Sequence, residues 1–182
     1  MLDLNNLSNE IGKINFHIDE YEIFKFLQIR KRWPIHYNDG QPTIEIIDNL
    51  GNQSNKGFFN ADSYFDFNKW LEVYNLGYTT IISNVLDLSE ELRKLNNYLK
   101  NNMGHEVNGN FYLSKGGQYP SFNDHSHVYP VIVKQIYGVG YWKINGEQLE
   151  LNNQNTLLIP PNCIHKVYKV LDKKLSLTIN LS

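Results

Sequence analysis

The chain has 182 residues, 41% hydrophobic and 13% aromatic. That is enough for one sizeable core, whereas two halves would each be marginal, so a single domain over 1–182 is expected. A formal charge of −2, with the charges scattered, gives no basic footprint for nucleic acid or an anionic membrane surface.

One cysteine excludes an internal disulfide framework and suits a reducing compartment. The opening Met1-Leu2-Asp3-Leu4-Asn5-Asn6 lacks the basic start and apolar run of a signal peptide, and no apolar stretch reaches membrane-span length, so a soluble cytoplasmic protein is expected. Between residues 18 and 32, Tyr21, Ile23, Phe24 and Leu27 stand among charged residues and predict an amphipathic helix. Trp33-Pro34 should end it, because proline disfavours helical geometry in the residue before it. The basic run Arg30-Lys31-Arg32 would then lie at the helix C-terminus, where cations suit the dipole. Ile35 and residues 43–47 read as short strands, and the Asn-, Gly- and Ser-rich stretch 48–63 as a loop.

Phe67, Trp70, Leu71 and Tyr74 make one apolar helical stripe, with Gly77 a plausible stop. Residues 78–85 read as a strand. Asp87 followed by Glu90 resembles a capping box for a helix carrying Leu88, Leu92, Leu95 and Leu99. Beyond Gly104 helical periodicity gives way to short alternating runs at 110–115, 127–137, 140–145, 148–151, 156–159, 166–170 and 175–181. Asn145-Gly146 between two of them is a strong hairpin signal, since such a turn needs positive φ. So many short strands argue for a sandwich or barrel, with 1–104 as α/β support and 105–182 carrying the barrel.

The chemistry concentrates in that second part. His125 and His127 sit at i and i+2, so on an extended chain both imidazoles face one side of a sheet. His165, behind Pro160-Pro161-Asn162-Cys163-Ile164, should open a strand. Three neutral imidazoles converging from two strands can hold a divalent transition metal and leave positions open; the competing reading is that a His-x-His pair binds nothing. Tyr112 and Ser114 share parity on one strand and can line a cavity, and Gln135 shares parity with His127. Cys163 is either a fourth ligand or a small buried hydrophobe. His17, His36 and His105 have no partner motif.

Two short motifs are similar to those of cupins. The first joins His125-Ser-His127 to Gly138, with Val131 where cupins place a glutamate; the second is Pro160-Pro161-Asn162-Cys163-Ile164-His165, with Asn162 in the place of glycine, a mild change because asparagine tolerates left-handed geometry. The order of Asn110-Phe111-Tyr112, His125-x-His127, Gln135, Gly138, Trp142, Leu158-Ile159-Pro160, His165 and the last strand Ser176-Leu177-Thr178-Ile179-Asn180 resembles the JmjC-type branch of the cupin superfamily. These are iron- and 2-oxoglutarate-dependent hydroxylases acting on ribosomal proteins or asparaginyl side chains. With the helix at 19–34 and the strand at 77–85, the resemblance covers most of the chain.

It implies a mainly β fold, a double-stranded β-helix (cupin or jelly-roll) barrel with the N-terminal helices packed outside. It also implies a non-haem metal-dependent oxygenase with His125, His127 and His165 as ligands, Fe(II) as the metal with Zn, Ni or Mn open, and Tyr112, Ser114, Gln135, Trp142, Thr178 and Asn180 around the pocket. Two positions depart from the family: His127 replaces the metal carboxylate, and Gly140 stands where a lysine salt-bridges 2-oxoglutarate. Since Tyr112, Gln135, Thr178 and Asn180 offer only neutral hydrogen bonds, 2-oxoglutarate is expected to bind poorly. The alternative is a non-catalytic or non-oxidative cupin holding a divalent metal or a small ligand. The expected substrate is a small molecule or a protein side chain, and pairing through exposed strand edges would give a homodimer.

Overall fold

The computed structural model describes residues 3–29, 43–54, 57–59, 64–104, 107–117 and 121–182. The expected helix stop at Trp33-Pro34, the Arg30-Lys31-Arg32 run, the strand at Ile35, and His36 and His105 lie outside them. A helix absent from the sequence expectations comes first, α1 (Leu4–Lys13). Its signals are local: Asp3 accepts hydrogen bonds from the Asn5 and Asn6 amides, and Leu7 and Ile11 share a buried face. Helix α2 (Glu20–Ile29), strands β1 (Ile44–Ile47) and β2 (Gln53–Ser54), helix α3 (Phe67–Asn75) and strand β3 (Thr79–Ile82) follow. The stretch expected to be all loop therefore contains β2.

Helix α4 (Glu90–Met103) is capped by Ser89, whose hydroxyl accepts from the Leu92 amide, and not by Asp87 as the capping-box pattern suggests. Asp87 takes up the outer surface instead, accepting from the Asn96 amide and the Arg93 guanidinium. Gly104, at φ +75, closes the helix. The remaining strands are β4 (Asn108–Ser114), β5 (Val131–Tyr137), β6 (Gly140–Ile144), β7 (Glu147–Leu151), β8 (Thr156–Ile159), β9 (His165–Lys169) and β10 (Lys174–Asn180). Among the described residues no helix is long and apolar enough to cross a membrane.

The strands form two antiparallel sheets, β2-β1-β3-β4-β10-β5-β8 and β7-β6-β9, facing each other as a jelly roll. The alternation along β4 and β10 decides what lies on each face of the larger sheet. Phe111, Leu113, Leu175, Leu177 and Ile179 point to the helices and pack with Leu7, Ile11, Leu27, Trp70 and Leu92 in the main core. Their neighbours Tyr112, Lys174, Ser176 and Thr178 point the other way, toward the small sheet, where Val131, Val133, Trp142, Ile159 and Val167 form a second apolar cluster. The polar face of the larger sheet thus lines the space between the sheets.

Two turns set the depth of that space. Asn145 (φ +47) and Gly146 (φ +93) join β6 to β7 as their sequence predicts. At the opposite end Gly138 (φ +72) turns β5 into β6 so close to the β9–β10 connection that a Cβ there would lie 2.1 Å from the Lys173 carbonyl oxygen.

Candidate metal centre

His125, His127 and His165 converge at the mouth between the sheets, with their donor atoms all within 4.8 Å of one another. Ring centroids are separated by 5.1 Å for His125 and His127, 4.3 Å for His125 and His165, and 5.2 Å for His127 and His165. His165 opens β9 as expected. The His-x-His pair does not occupy a regular strand: it lies in the loop before β5, where His125 forms an isolated bridge with His165. At that bridge the His125 and His165 backbones exchange two hydrogen bonds, 3.2 and 2.9 Å, and the Asn162 amide donates to the His127 carbonyl at 2.6 Å. Asn162 is left-handed (φ +60), as the cupin-like motif requires at that position. Asn145 buttresses the same turn, its side-chain oxygen accepting from the Ile164 amide and its own amide donating to the Ile164 carbonyl. The backbones of the three histidines are therefore tied together before any ion arrives.

Hydrogen bonding also sets which ring nitrogen is free. Nδ1 of His125 lies 2.9 Å from the Asn123 carbonyl and Nδ1 of His165 lies 2.8 Å from the Cys163 carbonyl. A carbonyl can only accept, so both rings carry their proton on Nδ1 and present an unprotonated Nε2. Burial, with lesser contributions from neighbouring histidines, pushes His127 and His165 below the usual imidazole pKa, which favours the neutral form a metal needs. Donors at about 2.1 Å on one tetrahedral ion stand about 3.4 Å apart, so closing the trio draws the widest pair together by up to about 1.4 Å, within reach of side-chain rotation. The three side chains fit a metal, and the cluster suggests one.

Below the trio the inner chamber has a free volume of about 40 Å³, room for roughly three water-sized groups. Tyr112, Trp142 and Thr178 line it as expected. Ser114, expected beside them, does not: its hydroxyl donates to the Gly77 carbonyl and accepts from the Gly116 amide, holding the chain leaving β4. Gln135 lies one layer behind the wall, and Asn180 faces an outer cleft of about 620 Å³ that runs over His125 and His127. Cys163 is buried in the second apolar cluster and belongs to no metal-ligating group among the described residues.

The chamber also holds a cation that the sequence reading did not find. Lys174 is 1% exposed and lines the wall, donating to Ser176 Oγ at 3.0 Å. The expectation that inward positions offer only neutral groups is therefore wrong. Its signal was parity, since Lys174 continues the inward series of Ser176, Thr178 and Asn180, but the strand was expected to begin one residue later. Lys134, the other lysine buried among the described residues, faces away from the chamber and donates to the Gly12 and Asn153 carbonyls, capping the last turn of α1.

A search of curated proteins finds no match. Residues 108–179 match the AraC-like ligand binding domain family. Among solved structures, YcfD, a ribosomal oxygenase from Escherichia coli in complex with cobalt and succinic acid, aligns at 13% identity over 92% of this chain and 44% of that one, with a TM-score of 0.63. A cupin protein from Bacteroides fragilis aligns at 24% identity over 40% of this chain and 64% of that one, TM-score 0.35. A structure of DMSP lyases aligns at 18% identity over 41% of this chain and 38% of that one, TM-score 0.37. The chain spans less than two thirds of the length of each of these proteins. The two facing antiparallel sheets, the match over 108–179 and the likeness to YcfD along most of the chain together show that this chain has a cupin-like jelly-roll fold.

Proposed function

We propose that this chain is a non-haem, metal-dependent oxygenase of the cupin type, with a divalent ion held by His125, His127 and His165. The observation that carries the reading is the convergence of three imidazoles, two with their tautomer set by backbone carbonyls, at the mouth of a chamber that opens to a larger cleft. Imidazole donors suit Fe(II) as well as Zn, Ni and Mn, and bound iron would supply redox chemistry with molecular oxygen. Trp142, Val133, Ile159 and Val167 wall the chamber against water, and Trp142 stacks near His165 at 6.3 Å. The outer cleft, lined by Glu45, Gln53, Asn180 and Tyr129 beside the trio, gives a small molecule or a protein side chain its approach. A three-imidazole site carries one more positive charge than a site in which a carboxylate replaces His127, which favours anionic ligands at the open positions.

A second reading has its own support. The match to a ligand-binding family over 108–179 favours a cupin that holds a metal or small ligand without oxidising it. The two are separated by loading the protein anaerobically with Fe(II) and measuring oxygen uptake, above that of free Fe(II), with and without 2-oxoglutarate. Uptake by the wild type that is lost in His165→Ala supports the oxygenase. Stoichiometric iron with no uptake supports the binding protein. Failure of the wild type to hold iron contradicts both uses of the trio, and His17→Ala, an exposed histidine bonded to Glu91, should leave iron content unchanged.

A further inference from the structure

The three histidines are not held alike. Phe122 meets His125 at 5.1 Å between ring centroids with the planes 53° apart, and Trp142 lies 6.3 Å from His165 with the planes 28° apart. Both of those imidazoles are also fixed at Nδ1 by a backbone carbonyl, from Asn123 and from Cys163. His127 has no such tie: among the described residues neither of its ring nitrogens meets a hydrogen-bond partner. The Asn162 amide holds its backbone carbonyl, which leaves the ring itself able to turn.

What faces that ring is Tyr129. The two rings are nearly parallel, with planes 10° apart and centroids 5.2 Å apart, which is an offset stack. Tyr129 packs in turn against the second apolar cluster and lines the outer cleft, so the stack is anchored to the barrel wall. Ring orientation matters here because of the residue type. An imidazole offers a metal one lone pair, in the plane of the ring, so turning the ring carries the donor off the ion. A carboxylate, which the family resemblance places at this position, offers two oxygens and about four lone-pair sites, and it tolerates such a turn. With His127 in its place a fixed ring plane is needed, and backbone carbonyls supply one only to His125 and His165. A bound ion also draws electron density from the imidazole, and an electron-poor ring stacks more firmly on the phenol face, as a cation does. The stack therefore strengthens as the ion arrives, and adds to affinity.

We propose that Tyr129 is a positioning residue for the third metal ligand, its ring fixing the plane of His127 so that an imidazole can serve where a carboxylate would need no such support. This role rests on the metal-site reading and goes beyond it, since Tyr129 stands outside the ligand set and acts only through His127.

A double-mutant cycle in Zn(II) affinity tests this, measured on the whole chain by competition with a chelator. With His127 present, Tyr129→Leu should weaken Zn(II) binding about threefold to tenfold, and Tyr129→Phe, which keeps the aromatic face, should stay within about twofold of the wild type. In a His127→Asp background Tyr129→Leu should change affinity by no more than about twofold, since a carboxylate needs no ring plane. Equal losses in the two backgrounds would make Tyr129 a support for the fold alone and overturn the proposal. Co(II) absorption reads the ligand field itself: Tyr129→Phe should keep the wild-type d–d bands and Tyr129→Leu should shift them, whereas bands unmoved by Tyr129→Leu would count against the role. In the wild type at least one His127 ring proton should resonate upfield of its His17 counterpart, because of the tyrosine ring current, both before and after Zn(II) is added. That readout needs no variant to fold, and loss of the upfield shift on Zn(II) binding would show the stack broken in the loaded centre and overturn the proposal. Failure of the wild type to take up Zn(II) would sink the metal site and this role with it, while uptake undiminished in Tyr129→Leu would sink the role alone.

Discussion

Burial pushes the Lys174 ammonium down to about 8, because no carboxylate among the described residues compensates its lost hydration. The sign of the consequence follows from proton counting. Below pH 8 both folded and unfolded chains hold the proton and the folded state carries the full cost of burying it. Between about 8 and the unfolded value of 10.5 the folded chain releases its proton first, so stability rises with pH through that window. Lys174→Met should accordingly stabilise the metal-free protein at pH 7 by up to about 3 kcal/mol, and by less at pH 10; the Ser176-to-Gln135 bond survives the change. Urea denaturation at the two pH values checks this, and a less stable variant at pH 7 would mean that the lysine has a partner. A lysine that lowers stability where it stands is a candidate for a ligand-binding role. Its position was legible in the alternation of β10, but Ser114 and Gln135 show where parity runs out. Both point inward by parity, yet Ser114 is claimed by the Gly77 carbonyl and Gln135 by a bulge, and neither partner can be read from spacing along one strand.

At the scale of elements, the strands and helices of the second half follow their periodicity closely, and the differences lie where tertiary contacts decide. The His-x-His segment alternates like a strand but forms a loop, because its neighbours on either side pair with different sheets: Val131 with β10 and β8, and His125 with His165. That loop depends on the left-handed Asn162, whose amide holds the His127 carbonyl. Asn162→Gly should keep metal affinity near the wild-type value, whereas Asn162→Val, which resists positive φ, should lower it by an order of magnitude or more; metal titration with a competing chelator measures both. The β5–β6 turn gives a sharper case. Gly138→Ala sets a methyl against a backbone oxygen at 2.1 Å in a left-handed residue, so it should destabilise the fold by about 2 kcal/mol or more in thermal unfolding. A neutral result would show that the β9–β10 connection can move aside.

For the molecule as a whole, the two faces of the larger sheet divide the work. The helix-covered face carries the long apolar side chains of β4 and β10 and the aromatic group of Phe24, Trp70 and Tyr74, whose rings meet at 5.3–5.4 Å. The inner face is left free to be polar without emptying the main core. Ligand at the trio should therefore raise stability by simple linkage: a divalent ion at a thousand times its dissociation constant adds about 4 kcal/mol. The thermal transition should rise with Mn(II) in the wild type and stay put in His127→Ala.

Whether these three imidazoles hold one divalent ion is read from X-ray absorption on protein loaded with one equivalent of redox-inert Zn(II). The protein should bind one ion per chain tightly, with three imidazole nitrogens at about 2.0–2.1 Å and the remaining ligands light atoms. Fewer than two imidazoles around the ion, or a spectrum unchanged by His127→Ala and His165→Ala, would contradict it.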